Sequence, residues 1–162
     1  MPSPLRTLRA GGAWVSRTKW FRRIGPTVMP PFERFMRAIT GGRVTASGLL
    51  VPSLVLHTTG AKSGQPRRTE LMCVPDHGTW LITGSNFARS THPAWTSNLL
   101  KHPDAEIEWR GRRIPVHATL IGDDEREAVW QTIQRQWPGY RQYEREAGRK
   151  LRIFRLAPLT EN

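Results

Sequence analysis

One cysteine, Cys73, stands alone in 162 residues. Without a second thiol there is no intramolecular disulfide and no thiolate metal site, which fits a reducing, cytoplasmic setting. Acids are scarce too: 13 against 25 Lys and Arg, a formal charge of +12. Apolar residues reach only 38%, so part of the chain is expected to stay out of a core. No run approaches the ~18 apolar residues of a membrane span. The N-terminal segment carries charge but lacks the continuous apolar stretch of a secretory signal. There is no internal repeat and no low-complexity segment. The expectation is one intracellular domain with an appended arm.

Familiar catalytic patterns are missing as well. His57, His77, His92, His102 and His117 show no pairing at metal-ligand spacing, so no metal is expected. There is no Gly-x-Ser-x-Gly elbow. Cys73 falls between Met72 and Val74 in a strand-like run, where a small apolar residue is the default over a nucleophile. Glu106 and Glu108 resemble paired carboxylates, but their alternation beside a turn makes them a solvated strand face.

The positive charge is uneven. Residues 1–50 hold nine basic residues and one acid, Glu33. Such a segment seeks a polyanion: lipid headgroups, nucleic acid or an acidic small molecule. Val15 to Ile24 reads as a short helix with aromatics on one side and Arg/Lys on the other. Phe32, Phe35, Met36 and Ile39 then form one helical stripe before Gly41-Gly42. The pair suits either a membrane-surface arm or a cover for the core of the domain. Residues 1–43 are taken as the arm and 44–162 as the domain.

The centre of the domain is Leu54 to Met72. An apolar run enters Thr58-Thr59-Gly60-Ala61-Lys62-Ser63-Gly64-Gln65-Pro66 and leaves through Arg67-Arg68-Thr69-Glu70. Two glycines and a proline rule out helix and mark a tight connection. Backbone N–H groups in such a turn, with Lys62 and Arg67 beside them, suit a phosphate or carboxylate; a solvated turn with incidental charges reads the same. It is not a Walker A loop, since only three residues separate Gly60 and Gly64 and Lys62 precedes the second glycine. No helix opens after it, which excludes the dinucleotide fingerprint.

Around this loop the sequence predicts strands at Leu54–Thr58, Thr69–Val74, Trp80–Gly84, Ala105–Trp109, Arg112–Ile121 and Leu151–Leu156. Pro75-Asp76-His77-Gly78 and Arg110-Gly111 read as hairpin turns. Short helices are predicted at Pro93–Leu100 with Thr91 as cap, at Glu125–Gln136 capped by Asp123-Asp124, and at Tyr140–Glu146. Six short strands with brief helices suit a small antiparallel barrel with helices at its edges, not a doubly wound sheet.

Several residues suit a flat, anionic ligand. Trp95 follows a proline at a helix start and serves equally as a stacking surface or as core. Thr83-Gly84-Ser85-Asn86 ends a strand with hydroxyls and an amide. Tyr140 and Tyr143 are three apart and share a helical face, lining a pocket or packing with their hydroxyls at the surface.

Taken together, LHTTGAKSGQPRRTEL, the Gly-Ser after the next strand, HPAWTSNLLKHPD and PGYRQY resemble the deazaflavin (F420)-dependent nitroreductase family over roughly residues 46–159. The resemblance implies a mainly β (α+β) split β-barrel of the FMN-binding, pyridoxamine-phosphate-oxidase-like kind. It implies an oxidoreductase whose cofactor is coenzyme F420, with FMN the lesser alternative. Ala61, Lys62, Ser63, Gly64, Gln65 and Pro66, with Arg67 and Thr69, would hold the coenzyme's phosphate and the start of its acidic tail. Thr83, Ser85, Asn86, Ala94, Trp95 and Asn98 would surround the ring, with Trp95 at its edge. Tyr140 and Tyr143 would shape the substrate side. Ala61 and Asn86 stand where the nitroimidazole-activating members carry basic residues, and Trp137 where some carry a tyrosine, so nitroimidazole activation does not follow.

Hydride transfer fits a chain with no evident acid–base team, because the cofactor carries the difficult step while the protein orients and excludes water. The proton that follows would come from water, Ser85, Tyr140 or Tyr143, with Tyr140 ranked first. The expected acceptor is a quinone-like or nitroaromatic molecule, met by an arm resting on the anionic inner face of the cell membrane. A homodimer is compatible with this reading, and nucleic acid is not an expected partner. The rivals are a related barrel binding FMN, haem or another flat ligand, and a non-enzymatic basic module for lipid or nucleic acid.

Overall fold

A computed structural model describes residues 52–137 and 140–159. The basic arm, its two expected helices and the domain boundary at residue 43/44 lie outside the described residues. Within them, β1 (Ser53–Thr59), β2 (Pro66–Met72), β3 (Val74–Asp76) and β4 (Thr79–Thr83) come first. A short 3-10 turn (Asn86–Ala88) and helix α1 (Ala94–Lys101) follow. Then come β5 (Asp104–Trp109), β6 (Arg112–Leu120), α2 (Asp123–Gln136), α3 (Gln142–Ala147) and β7 (Ile153–Pro158).

The strands form one sheet in the order β2-β1-β5-β6-β7-β4-β3. The pairs β1–β5, β5–β6, β6–β7, β7–β4 and β4–β3 are all antiparallel, with Leu56 opposite Ile107, Ile107 opposite Ile114, Ala118 opposite Leu156 and Ile82 opposite Phe154. The outermost strands in this order, β2 and β3, are separated along the chain by Cys73 alone. Consecutive Cα atoms lie about 3.8 Å apart, so the two ends of the sheet must meet and the sheet curls on itself. This is the expected split barrel, with β2 and β3 acting as one bent strand that changes partner at Cys73.

The barrel interior collects Leu54, Leu56, Cys73, Trp80, Ile82, Trp95, Leu99, Ile107, Val116, Ala118, Phe154 and Leu156, all buried. Period-2 alternation explains the set: in β6, Val116 and Ala118 turn inward while His117 and Thr119 face solvent. Leu81 and Ile153 are also buried, on the opposite strand faces. Outside the barrel, α2 is tied to β7 by Arg155 donating to Glu125 Oε2 at 2.8 Å and to β3 by packing. Gln136 adds a long bond to the Cys73 carbonyl.

Most expected elements appear, with shifted ends. Pro75 lies inside β3, and the turn is the pair His77-Gly78, both at positive φ (47° and 80°). Arg110-Gly111 has the same geometry (51° and 78°), the two-residue hairpin turn that matches strand twist. Gly122 caps α2, while Asp123 and Asp124 sit in its first turn, where the helix dipole favours carboxylates. Pro93, not Thr91, is the N-cap of α1, and Tyr140 precedes α3 instead of lying in it.

Candidate active site

Helix α1 joins two halves of a site. At its C-terminal end, buried Asn98 accepts the Ala61 N–H through Oδ1 at 2.8 Å and donates through Nδ2 to Thr58 Oγ1 at 3.1 Å. One turn on, Lys101 Nζ donates to the Ala61 carbonyl at 2.7 Å. Both backbone polar groups of Ala61 are therefore held by the helix. Inside the loop, Gly60 N–H bonds the Gln65 carbonyl at 2.8 Å and Gly64 N–H bonds the Gly60 carbonyl at 2.9 Å. Gln65 N–H reaches Ser63 Oγ at 3.2 Å.

This differs from the turn expected from sequence. Four backbone donors, those of Gly60, Ala61, Gly64 and Gln65, are consumed in holding the loop's own shape. What the loop offers outward is charge on side chains. Lys62 is exposed, and among the described residues it makes no ion pair or hydrogen bond, while the one such partner of Arg67 is the neutral Ser63 Oγ, at 3.4 Å. Neighbouring Arg68 is engaged by Glu70. Two cations on a braced loop, with no carboxylate partner among the described residues, suit an anionic group, and Ser63, Gln65, Pro66 and Thr69 flank them.

At its N-terminal end α1 meets the end of β4. Gly84 N–H donates to the Arg152 carbonyl at 2.8 Å, and a Cβ on Gly84 would lie 2.8 Å from Thr96 Cγ2. Only glycine permits the helix and strand to approach so closely. Beyond it, Tyr140 OH donates to Ser85 Oγ at 2.9 Å. The three side chains expected to be catalytic thus come together: Tyr143 lies 5.3 Å from Tyr140, ring to ring, and both rings are buried, whereas Ser85 is half-exposed. Trp137 packs edge-on against Tyr140 at 6.2 Å and Trp130 lies at 6.5 Å. Burial pushes the Tyr140 hydroxyl up to about 12, opposed by its bond to Ser85 and reinforced by Tyr143. It is a protonated donor at every ordinary pH.

Asn86, Phe87 and Ala88 all adopt positive φ (47°, 54° and 62°), a left-handed turn costly for residues with a Cβ. Asn86 Nδ2 donates to the Thr91 carbonyl at 3.0 Å, closing the turn. Thr83 ends β4, half-buried, and Ala94 is exposed at the start of α1. Trp95 points inward: its indole is 5% exposed and tilts against Phe154 at 5.9 Å. It supports α1 from beneath and presents no face to a ligand at the surface.

The sequence did not single out two residues of this region. Lys101 reads as a basic C-terminal helix residue, and Arg149 as one of several cations after a helix. Arg149 in fact donates to five acceptors between Gly84 and His92. Cys73 is buried, and desolvation raises its thiol to about 12, so no thiolate is available. Among the described residues no three His, Cys, Asp or Glu side chains gather to hold a metal, and no helix is long and apolar enough to cross a membrane.

A curled antiparallel sheet, with a braced cationic loop at one end of a short helix and a Tyr–Ser pair at the other, defines a split-barrel protein. The family model for F420H(2)-dependent quinone reductase matches residues 31–158, and the chain belongs to that family. An F420H(2)-dependent quinone reductase from Mycobacterium tuberculosis is 39% identical over 84 residues, which is 51% of this chain and 56% of that protein. The chain thus spans about half the length of the curated relatives it matches. Among solved structures, the F420-H2 dependent reductase FDR-A superposes with a TM-score of 0.59 at 28% identity, over 65% of this chain and 93% of that one. A chain solved as a domain-swapped dimer gives 0.61 at 25%, over 76% and 94%.

Proposed function

We propose that this protein transfers a hydride from reduced coenzyme F420 to a quinone-like or nitroaromatic acceptor. The observation that carries the reading is the pairing of unopposed Lys62 and Arg67, on a loop braced by Asn98, with Tyr140 donating to Ser85 at the far end of the same helix. Family membership supports the cofactor. The residues fit it: a flexible ammonium and a planar guanidinium suit phosphate and carboxylate groups, and neither has a competing carboxylate among the described residues.

Lys62 and Arg67 bind the charged handle, with Ser63, Gly64, Gln65, Pro66 and Thr69 shaping its seat. Thr83, Ser85 and Asn86 border the ring, with Ala94 at the exposed first turn of α1. Asn98 and Trp95 act from behind, one fixing the loop and the other the helix. When bound, the reduced deazaflavin supplies the hydride. An acceptor that has taken hydride still needs a proton at its oxygen. Ser85, the half-exposed member of the pair, hands over its hydroxyl proton, Tyr140 behind it restores that proton through the existing hydrogen bond, and after product leaves a solvent proton returns to the phenol by the same path through Ser85. The rings of Tyr143, Trp137 and Trp130 keep water from the phenol.

Two partners extend the reading. The nine basic residues among the first 50 support contact with anionic lipid, where quinones dissolve. The domain-swapped neighbour supports a dimer.

The test is spectrophotometric: oxidation of reduced F420 by menadione and by a nitroimidazole, against a no-protein control, with F420 and FMN binding measured side by side. Turnover and F420 binding are expected. Tight FMN binding with no F420 signal removes the reading.

A further inference from the structure

The segment from Gly84 to His92 has almost no regular structure to satisfy its backbone, and its middle is left-handed at three successive residues with a Cβ. One side chain compensates. Arg149 follows α3 after Gly148, itself left-handed at φ 62°. Its Nη2 donates to the carbonyls of Gly84 (3.1 Å), Ser85 (3.3 Å) and Thr91 (3.0 Å). Its Nε donates to the Arg89 carbonyl at 3.1 Å, and its Nη1 lies 3.0 Å from His92 Nδ1. A guanidinium has no acceptor, so His92 Nδ1 must carry a lone pair and the ring must be neutral. The Ser85 carbonyl held by Arg149 belongs to the residue whose hydroxyl meets Tyr140, and α3 packs against the 86–88 turn.

We propose that Arg149 is a positioning residue that holds the Ser85 hydroxyl against Tyr140, with neutral His92 as one arm of its grip, so that protonating His92 loosens the site. The inference rests on the hydride-transfer reading above, in which Ser85 and Tyr140 supply the proton. The groups facing His92 are both cations, Arg149 and Arg152, while Glu144 is the acid near Arg149. Burial and these two charges hold the His92 ring below its ordinary range. A proton on Nδ1 would set two donors against each other at 3.0 Å. Lysine cannot replace Arg149, because three donors on one nitrogen cannot reach five acceptors spread over nine residues.

The experiment compares wild type, Arg149→Lys and His92→Gln, the last keeping a neutral acceptor that does not titrate. Turnover of menadione with reduced F420 is followed from about pH 5 to about pH 8. Amide hydrogen exchange over residues 84–92 is measured at both ends and corrected for intrinsic rates. Wild type is expected to show an acid limb and faster exchange at the lower pH, and His92→Gln to show neither. Arg149→Lys is expected to exchange fast at both pH values and to lose roughly tenfold or more in kcat, with thermal melts confirming that it folds. Wild-type turnover and protection in Arg149→Lys, or an acid limb surviving in His92→Gln, overturns the proposal. If no variant turns over any acceptor, the hydride-transfer reading fails by itself. The exchange data then decide the grip: pH-dependent protection lost in His92→Gln upholds it, and protection indifferent to pH and to both substitutions overturns it.

Discussion

Tyr140 donates its phenolic hydrogen to Ser85 Oγ at 2.9 Å, across 55 residues of chain. The donor is buried among aromatic rings and the acceptor is half-exposed, so the polarity of the bond runs from the interior toward the solvent-facing side. Replacing Tyr140 by Phe removes the hydroxyl and keeps the ring. The expected outcome is turnover reduced by roughly ten- to a hundredfold with the F420 dissociation constant little changed, read from steady-state rates and fluorescence binding. Equal turnover would leave Tyr140 with a packing role.

The same phenol gives a pH signature. Its value rises from 10.0 to about 12 on folding, first because burial penalises the phenolate. A raised acid stabilises the fold below its unfolded value and stops doing so as pH climbs through the folded one. Urea unfolding should therefore show stability falling between about pH 10 and about pH 12, with a shallower fall in Tyr140→Phe. Cys73, raised from 9.0 to about 12, contributes a residual slope to both proteins.

Lys62 and Arg67 have no carboxylate to lose among the described residues, so removing them should leave the folding of the barrel nearly untouched. Lys62→Ala with Arg67→Ala is expected to weaken F420 binding by on the order of 2–4 kcal/mol if each makes a charge-assisted bond. An unaltered dissociation constant, measured by titration, would put the coenzyme's handle elsewhere.

Asn98 is buried and uses both ends of its amide. Asn98→Leu strands the Ala61 N–H and the Thr58 hydroxyl and should cost about 1–3 kcal/mol, visible as a lower denaturation midpoint. Binding should weaken in parallel, since the loop loses its brace. A stable variant with normal binding would show that Lys101 alone holds the loop.

Gly84→Ala tests the close approach of β4 and α1. The new methyl would meet Thr96 Cγ2 at 2.8 Å and the Arg152 carbonyl at 3.3 Å. Thr96 is fully buried and β-branched, so it cannot swing aside. The expected loss is about 1–3 kcal/mol with a drop in turnover, because Ser85 is next in the chain.

Much of the barrel was legible because its strands obey period 2 and its turns carry glycine at the positions that need it, Gly78 and Gly111. The end of β3 was not, because Pro75 reads as turn punctuation yet occupies a strand beside the seam, where its missing N–H costs little. Ser85, Tyr140 and Tyr143 were picked out from pattern and resemblance, and the fold brings them together. Trp95 was ambiguous for a physical reason: an indole at a helix start looks the same from sequence whether it faces a ligand or a core. Arg149 was invisible, since its partners are carbonyls, which every residue possesses and no sequence displays.

The seam at Cys73 gives the site a fixed ruler. From Pro66, where the cationic loop ends, to Thr83, just before the serine, the chain is a single ribbon of extended strand interrupted by one peptide step and one two-residue turn. The separation between the cationic loop and Ser85 is therefore counted out in residues. Adding one residue at position 73 would touch neither group, yet it would turn every following side chain of that ribbon to the other face and put the two halves out of step.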